Sequence, residues 1–168
     1  MSGTAVEEAW FYGAPGWTRQ AEVDDVVAPF LDRGRGAGSD FARFAGLGSR
    51  EAAALLERLP EANLRDRQNR GPECAAALRA AVDHPGDVLL HGYVVGPPRW
   101  DERVSVDGIF AAGAAVPPLP DGSVSLRRVW RDVREGLGLG ARTGYPDDFR
   151  RLMAEDAQGR IGWWMWWD

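Results

Sequence analysis

Residues 87–112 read DVLLHGYVVGPPRWDERVSVDGIFAA and contain the strongest β-strand pattern of the chain. Apolar and β-branched residues dominate its first part, and apolar and polar residues alternate after the central loop, as they do when successive side chains point to opposite faces of a sheet. The dipeptide Asp107-Gly108 between alternating segments is typical of a two-residue hairpin turn. We therefore predict an antiparallel meander with three strands, at 87–95, 103–106 and 109–112.

Helical periodicity flanks this stretch on both sides. Apolar residues recur at the spacing of one helix face in five further segments, at 22–27, 49–59, 72–82, 126–137 and 146–153. Ser49 is placed to cap the second of these helices, and Ser123 or Ser125 the fourth. The last segment, 161–167, reads IGWWMWW. Because buried aromatic side chains dominate core energetics, we predict that this segment is a strand that joins the sheet.

Together these patterns predict an α+β fold in a single domain that spans residues 1–168. The antiparallel sheet consists of the central meander at 87–112 and the C-terminal strand at 161–167, and helices from both flanks pack against it. Residues 1–19 carry several aromatic rings around a glycine and proline turn. We expect them to form a loosely attached N-terminal segment whose rings fold back on the core.

The cationic residues exclude several enzyme mechanisms. All 20 are arginine, and the chain contains no lysine, a composition that fits a GC-rich genome. A P-loop, a Schiff-base enzyme and a protein kinase each need a lysine amine at the reacting group. The sequence also lacks a serine-nucleophile elbow, an HExxH helix, an EF-hand loop and a zinc-finger pattern.

Ligands for a transition metal are scarce. The single cysteine, Cys74, excludes a disulfide within the chain and a multi-cysteine zinc site, and we interpret it as a small buried hydrophobe. The two histidines, His84 and His91, are separated by a Pro-Gly turn. We therefore expect neither a metal nor a cofactor. The glycine-rich segment 33–38 fits no nucleotide-binding fingerprint, so a plain loop is favoured there over a phosphate site.

Charge and hydropathy limit the classes of partner. The net charge of −5 argues against nucleic acid, because phosphate contacts dominate that affinity. No window approaches the ~20 apolar residues of a membrane-spanning helix, and the first residues lack the basic and apolar regions of a signal peptide. We therefore expect a soluble, cytoplasmic protein whose partner is a protein or a small molecule.

The connection 96–103 between the first two predicted strands is the main candidate for a binding site. Its two prolines restrict the backbone, so the side chains that follow them are expected to be presented in few directions. Trp and Arg are the residue types most enriched at interface hot spots. The candidate binding residues of this region are Arg99, Trp100, Arg103 and Tyr93.

A second polar region, residues 61–70 with the sequence EANLRDRQNR, leaves two interpretations open. As a solvated connector it needs no ligand, and we favour this because runs of charge usually face water. In the alternative interpretation, Arg65, Arg67, Gln68 and Asn69 hydrogen-bond a ligand or cap the sheet.

Two classes of function are compatible with these residues. In the first, which we favour, the chain is a non-catalytic binding or accessory protein that contacts its partner through the 96–103 loop and exposed aromatic rings. In the second it is a small enzyme in which His91, Asp101 or Glu102 is an acid or base, and Arg99 or Arg103 holds an anionic substrate. A pocket that encloses both His91 and Glu102 would favour the enzyme, and an exposed Trp100 would favour binding.

Overall fold

A computed structural model describes residues 11–32, 40–118, 124–154 and 158–168, and within these ranges the chain forms five strands and six α-helices. The strands are β1 (Phe41–Leu47), β2 (Val88–Val95), β3 (Arg103–Ala112), β4 (Asp148–Ala154) and β5 (Arg160–Trp166). They form one antiparallel sheet in the order β1-β2-β3-β5-β4. The helices are α1 (Trp17–Gln20), α2 (Val23–Val27), α3 (Ser49–Arg58), α4 (Glu61–Arg65), α5 (Cys74–Asp83) and α6 (Leu126–Gly136).

The main hydrophobic core lies between one face of the sheet and the helices. Helix α5 packs against α3, β2 and β3, and α6 from the other flank contributes Val129, Trp130 and Val133. The β2 side chains of this face are Val88, Leu90 and Val94, as the alternation of the sequence predicts. Helices from both flanks therefore pack on an antiparallel sheet, and the predicted α+β fold is confirmed.

The hairpin turn predicted at Asp107-Gly108 is wrong, because β3 runs through both residues. His91 of β2 pairs with Gly108, whereas the next residue, Gly92, pairs with Val106. Asp107 is therefore an extra residue on β3, which is the definition of a β-bulge. An Asp-Gly pair suits a turn and a bulge alike, and here β2 pairs with β3 on both sides of it. Residues 87–112 consequently supply two strands instead of three.

The predicted C-terminal strand is confirmed as β5, which lies between β3 and β4. Trp163, Met165 and Trp167 are buried on its core face. Ile161, predicted for the same face, is 57% exposed, because it pairs with Met153 at the outer end of the β4–β5 ladder.

The short helix predicted at 146–153 is also wrong, since Asp148–Ala154 is strand β4. Its apolar residues fit helical spacing over less than three turns, which is too short a window to separate a helix from a strand. Every residue of β4 pairs with β5, from Asp148 with Trp166 to Ala154 with Arg160. The tertiary partner therefore overrides the weak local preference.

Strand β1, with the sequence FARFAGL, was not predicted. It contains two alanines and a glycine, residue types that are depleted in strands, and Gly46 has a positive φ of 77°. Its pairing with β2 shifts register between Phe44 and Leu47. On its outer side Leu31 forms an isolated bridge with Phe44, which covers part of that edge.

Two helix ends differ from the sequence prediction. Gly48, with no side-chain hydrogen bond, takes the N-cap position of α3 that was assigned to Ser49. At α6 the predicted cap Ser125 is correct, and its Oγ accepts from the Arg128 amide at 3.3 Å. Leu126, predicted to be buried, is 50% exposed at the first turn of that helix.

Some predictions fall on residues that are not described. The glycine-rich segment 33–38, residues 1–10 and part of the link after β3 lie outside the described ranges. Within those ranges, no helix has both the length and the apolar character needed to cross a bilayer.

Candidate functional site

The loop between β2 and β3 is built around one buried carboxylate. Asp101 is 7% exposed and accepts two hydrogen bonds from Arg99, from Nε and Nη2, both at 2.8 Å. Arg103 Nη1 donates to the same carboxylate at 2.8 Å. The guanidinium groups of Arg99 and Arg103 thus restrain the loop by hydrogen bonds to the Asp101 carboxylate. Such charge-assisted hydrogen bonds are the strongest class in proteins.

This arrangement fixes the protonation state of Asp101. The hydrogen bond from Arg99 is the main cause that lowers the pKa of the Asp101 carboxyl, and the bond from Arg103 adds to it. The group is therefore ionised at neutral pH and is held by two cations. A general base needs a pKa near the operating pH, so Asp101 is poorly suited to the acid or base role that the enzyme hypothesis assigns to it.

Arg103 connects the loop to a buried polar network. Its Nη2 lies 3.2 Å from the hydroxyl of Tyr93, and that hydroxyl donates to Gln68 Oε1 at 2.8 Å. The position of Arg103 at a strand end predicts an outward side chain with little effect on folding. Arg103 is instead half-buried, and its removal would take one of three donated hydrogen bonds from the Asp101 carboxylate and the guanidinium donor from the Tyr93 hydroxyl.

A second tyrosine ties the N-terminal segment to the same region. The Tyr12 hydroxyl donates to Asp66 Oδ2 at 2.9 Å, and burial together with this bond raises the pKa of Tyr12 to about 12. Gln68 belongs to the 61–70 residues considered as ligand-binding or sheet-capping groups, whereas neither Tyr12 nor Asp66 was singled out from the sequence. Their partners are 25 or more residues away along the chain, so no local pattern could reveal them.

Glu102, the other carboxylate of the loop, is an anchor for the N-terminal segment. It is 1% exposed, and its two oxygens accept from the Gly16 amide at 2.6 Å, the Thr18 amide at 3.3 Å and the Thr18 hydroxyl at 2.7 Å. The Trp17 indole N–H donates to the Glu102 carbonyl at 3.2 Å. Residues 16–18 are therefore hydrogen-bonded to the loop between β2 and β3.

Replacing Glu102 with glutamine is expected to release this anchor. The NH₂ group of glutamine cannot accept a hydrogen bond, so it would face the Gly16 or Thr18 donors that a carboxylate oxygen now satisfies. We therefore expect the unfolding free energy to fall by about 1–3 kcal/mol. Hydrogen exchange at the Thr18 amide should accelerate more than at core amides of β2. The matched control is Glu57→Gln on the exposed side of α3, and equal exchange rates in wild type and Glu102→Gln would show that the carboxylate is not the anchor.

Trp100 projects from the tip of the braced loop. It is 54% exposed, and the neighbouring Phe11 is 61% exposed. Their ring centroids are 4.7 Å apart with the planes tilted by 59°. We call these two residues the Phe11–Trp100 pair. Two large aromatic side chains that touch each other and remain exposed form a contiguous apolar surface, which is less common than scattered exposed residues.

His91 lies apart from the loop. His91 is on β2, four residues before Val95, and Val95 pairs with Arg103 at the end of the loop. Four residues of a strand span about 13 Å, so His91 lies about that far along β2 from Val95. Its ring meets Trp164 edge-on at 4.9 Å, on the sheet face away from the helices. The structure therefore brings Asp101 together with Arg99 and Arg103, and it does not bring His91 together with Asp101 or Glu102.

Two candidates of the 61–70 segment, Arg67 and Asn69, have hydrogen-bond partners outside the loop. Arg67 forms an ion pair with Glu73 at 3.0 Å, and Asn69 donates to the carbonyl of Asp168. The residue between them, Gln68, is the one that faces Tyr93. These contacts tie the segment to α5 and to the C-terminus.

No metal centre is assembled by the described residues. Within their ranges no group of three or more His, Cys, Asp or Glu side chains is arranged to hold an ion. Cys74 is 3% exposed, and desolvation raises the pKa of its thiol to about 12, so at neutral pH it is a protonated and unreactive thiol.

Comparison of the chain with protein-family models, with curated proteins and with solved structures found no significant match. The case for a function therefore rests on the geometry of the described residues.

Proposed function

We propose that this chain is a non-catalytic binding protein that contacts a partner protein through the Phe11–Trp100 pair. The observation that carries the proposal is the exposure of two touching aromatic rings on a loop whose base is buried and hydrogen-bonded. A rigid aromatic side chain loses little conformational entropy when it binds, and tryptophan is among the residues that contribute most at interfaces.

The charges around the pair support an association dominated by apolar contact. Arg99 and Arg103 are balanced by Asp101, and Asp40 lies 3.9 Å from Arg99. With two cations and two anions in one cluster, little net charge remains to steer a partner. We propose that the affinity varies weakly with salt concentration, and that the protein acts in the cytoplasm, where an unpaired cysteine such as Cys74 is common.

Trp100→Ala separates a contact role from a structural one. Because the side chain is more than half exposed, the change should lower the unfolding free energy by less than about 1 kcal/mol. Partner binding should weaken by about 2 kcal/mol or more, which is a thirtyfold loss of affinity. Thermal melting and quantitative recovery of the partner from an extract of the native host, with the purified protein as bait, measure the two effects.

The control is Leu126→Ala, which removes another exposed apolar side chain, on α6. A genuine partner should be recovered equally by wild type and Leu126→Ala and be lost with Trp100→Ala and with Phe11→Ala. If folded Trp100→Ala recovers the same proteins in the same amounts as wild type, the pair is not the contact surface. Sedimentation of the purified chain at several concentrations shows whether the partner is a second copy.

A further inference from the structure

The β-bulge in β3 positions a surface arginine on the sheet face opposite the helices. The carboxylate of the extra residue, Asp107, is buried. Both of its oxygens accept from Nη2 of Arg43, at 2.9 and 2.8 Å. Bulges commonly re-aim a side chain next to a functional site. Here the bulge holds a guanidinium group that is itself about half exposed.

The glycine of the bulge positions an aromatic wall on the same face. A Cβ at Gly108 would lie 2.7 Å from Cη2 of Trp164 and 3.2 Å from Cβ of His91. Any other residue would therefore displace the indole ring. Because position 108 is glycine, Trp164 packs edge-on against His91, at an interplanar angle of 87°.

These groups border an open cleft of about 560 Å³. A second depression of about 320 Å³ adjoins it and shares the His91 and Trp164 walls. Both volumes lie in the range of small-molecule sites, which combine apolar walls with a few polar groups. The lining of the larger cleft includes Arg43, Ala45, His91, Trp164 and Trp166.

The charges at the cleft limit the class of ligand. Among the described residues, Arg43 donates only to Asp107 and only through Nη2, so its Nε–H and Nη1–H groups are left to meet an acceptor. The charge of the Arg43 guanidinium is already balanced by the Asp107 carboxylate, so this pair offers an anion no net positive charge. A neutral carbonyl oxygen accepts the same hydrogen bonds without like-charge repulsion from Asp107. The aromatic walls favour a flat ring.

We propose that this cleft binds an uncharged aromatic or heteroaromatic small molecule that carries a carbonyl oxygen. The ring packs against Trp164 and Trp166, and the carbonyl accepts from Arg43, which Asp107 holds in place. The site is separate from the Phe11–Trp100 pair and does not depend on it.

Three bicyclic probes of matched size and different charge test the proposal by calorimetry. They are 2-quinolinone, which is neutral and has a carbonyl, 2-naphthoate, which is an anion, and N-methylquinolinium, which is a cation. We expect 2-quinolinone to bind with a Kd below about 1 mM and more tightly than both charged probes.

Two variants locate the binding. Removing Arg43 alone would leave a buried charge on Asp107, so the double variant Arg43→Gln, Asp107→Asn is used, and it should bind 2-quinolinone about tenfold more weakly. Ala45→Phe, which fills the cleft without changing a charge, should abolish binding. Arg79→Gln on the exposed side of α5 and Trp100→Ala should both bind like wild type.

The proposal is overturned if 2-quinolinone does not bind at millimolar concentration, or if either charged probe binds more tightly than it does. It is also overturned if the double variant and Ala45→Phe, both shown to be folded by their melting curves, bind 2-quinolinone with wild-type affinity. Because Trp100→Ala is included, loss of the partner surface and loss of the cleft are measured separately.

Discussion

A chain that ends at Gln158 is expected to lose cooperative folding. The truncation removes β5, which is hydrogen-bonded to β3 on one side and to β4 on the other. It also removes Trp163, Met165 and Trp167, which are all buried. Replacing one buried tryptophan by alanine costs about 3–5 kcal/mol, while the total stability of a domain is about 5–15 kcal/mol. The stabilisation lost with these three side chains and with both strand pairings is therefore expected to exceed the total stability of the domain.

Thermal denaturation followed by circular dichroism measures this effect. A pair of point variants on the same strand gives the control: Trp163→Ala should lower stability by the amount expected of a core residue, whereas Ile161→Ala, at an exposed position, should cost less than about 1 kcal/mol. A truncated chain that still melts sharply near the wild-type temperature would contradict the central place of β5 in the core.

Asn63→Ala is expected to be among the most destabilising single changes outside the apolar core. Strand β5 pairs with β3 at residues 108–112, which leaves the first half of β3 with β2 as its single neighbouring strand. Asn63, which is fully buried, takes the place of the missing strand. Its Nδ2 donates to the Val104 carbonyl at 2.8 Å, and its Oδ1 accepts from the Val104 amide at 2.9 Å.

Without the Asn63 amide, the buried N–H and C=O of Val104 lose their hydrogen-bond partners. Each unsatisfied group lowers the unfolding free energy by about 1–3 kcal/mol. We expect Asn63→Ala to lower the unfolding free energy by about 2–5 kcal/mol. Asn63→Asp should be at least as harmful, because a carboxylate oxygen would face the Val104 carbonyl. Arg65→Ala, on the exposed face of the same helix α4, is the control and should cost little. A cost for Asn63→Ala no larger than that of Arg65→Ala, in urea denaturation, would refute the role of Asn63.

Part of this molecule is determined by local sequence. The strands at 88–95 and 160–166 and the helices α3, α5 and α6 were predicted close to their observed positions. In each of these elements the apolar periodicity extends over two or more helical turns or over a full strand. The local sequence therefore favours the observed secondary structure without a tertiary partner. Trp100 lies in a loop that begins with two prolines, and its side chain is 54% exposed.

Other features depend on a partner that the local pattern does not contain. Strand β4 is a strand because β5 offers it a complete edge, and the Asp-Gly pair in β3 is a bulge because β2 pairs with β3 on both sides of it. Glu102, which sequence reasoning made a candidate acid or base, anchors Gly16 and Thr18. Asn63, assigned to a solvated connector, completes the edge of β3. For Glu102 and Asn63 the deciding hydrogen bonds join residues 84 and 41 positions apart in the chain. A polar side chain has the same appearance in the sequence whether water or a buried backbone group satisfies it.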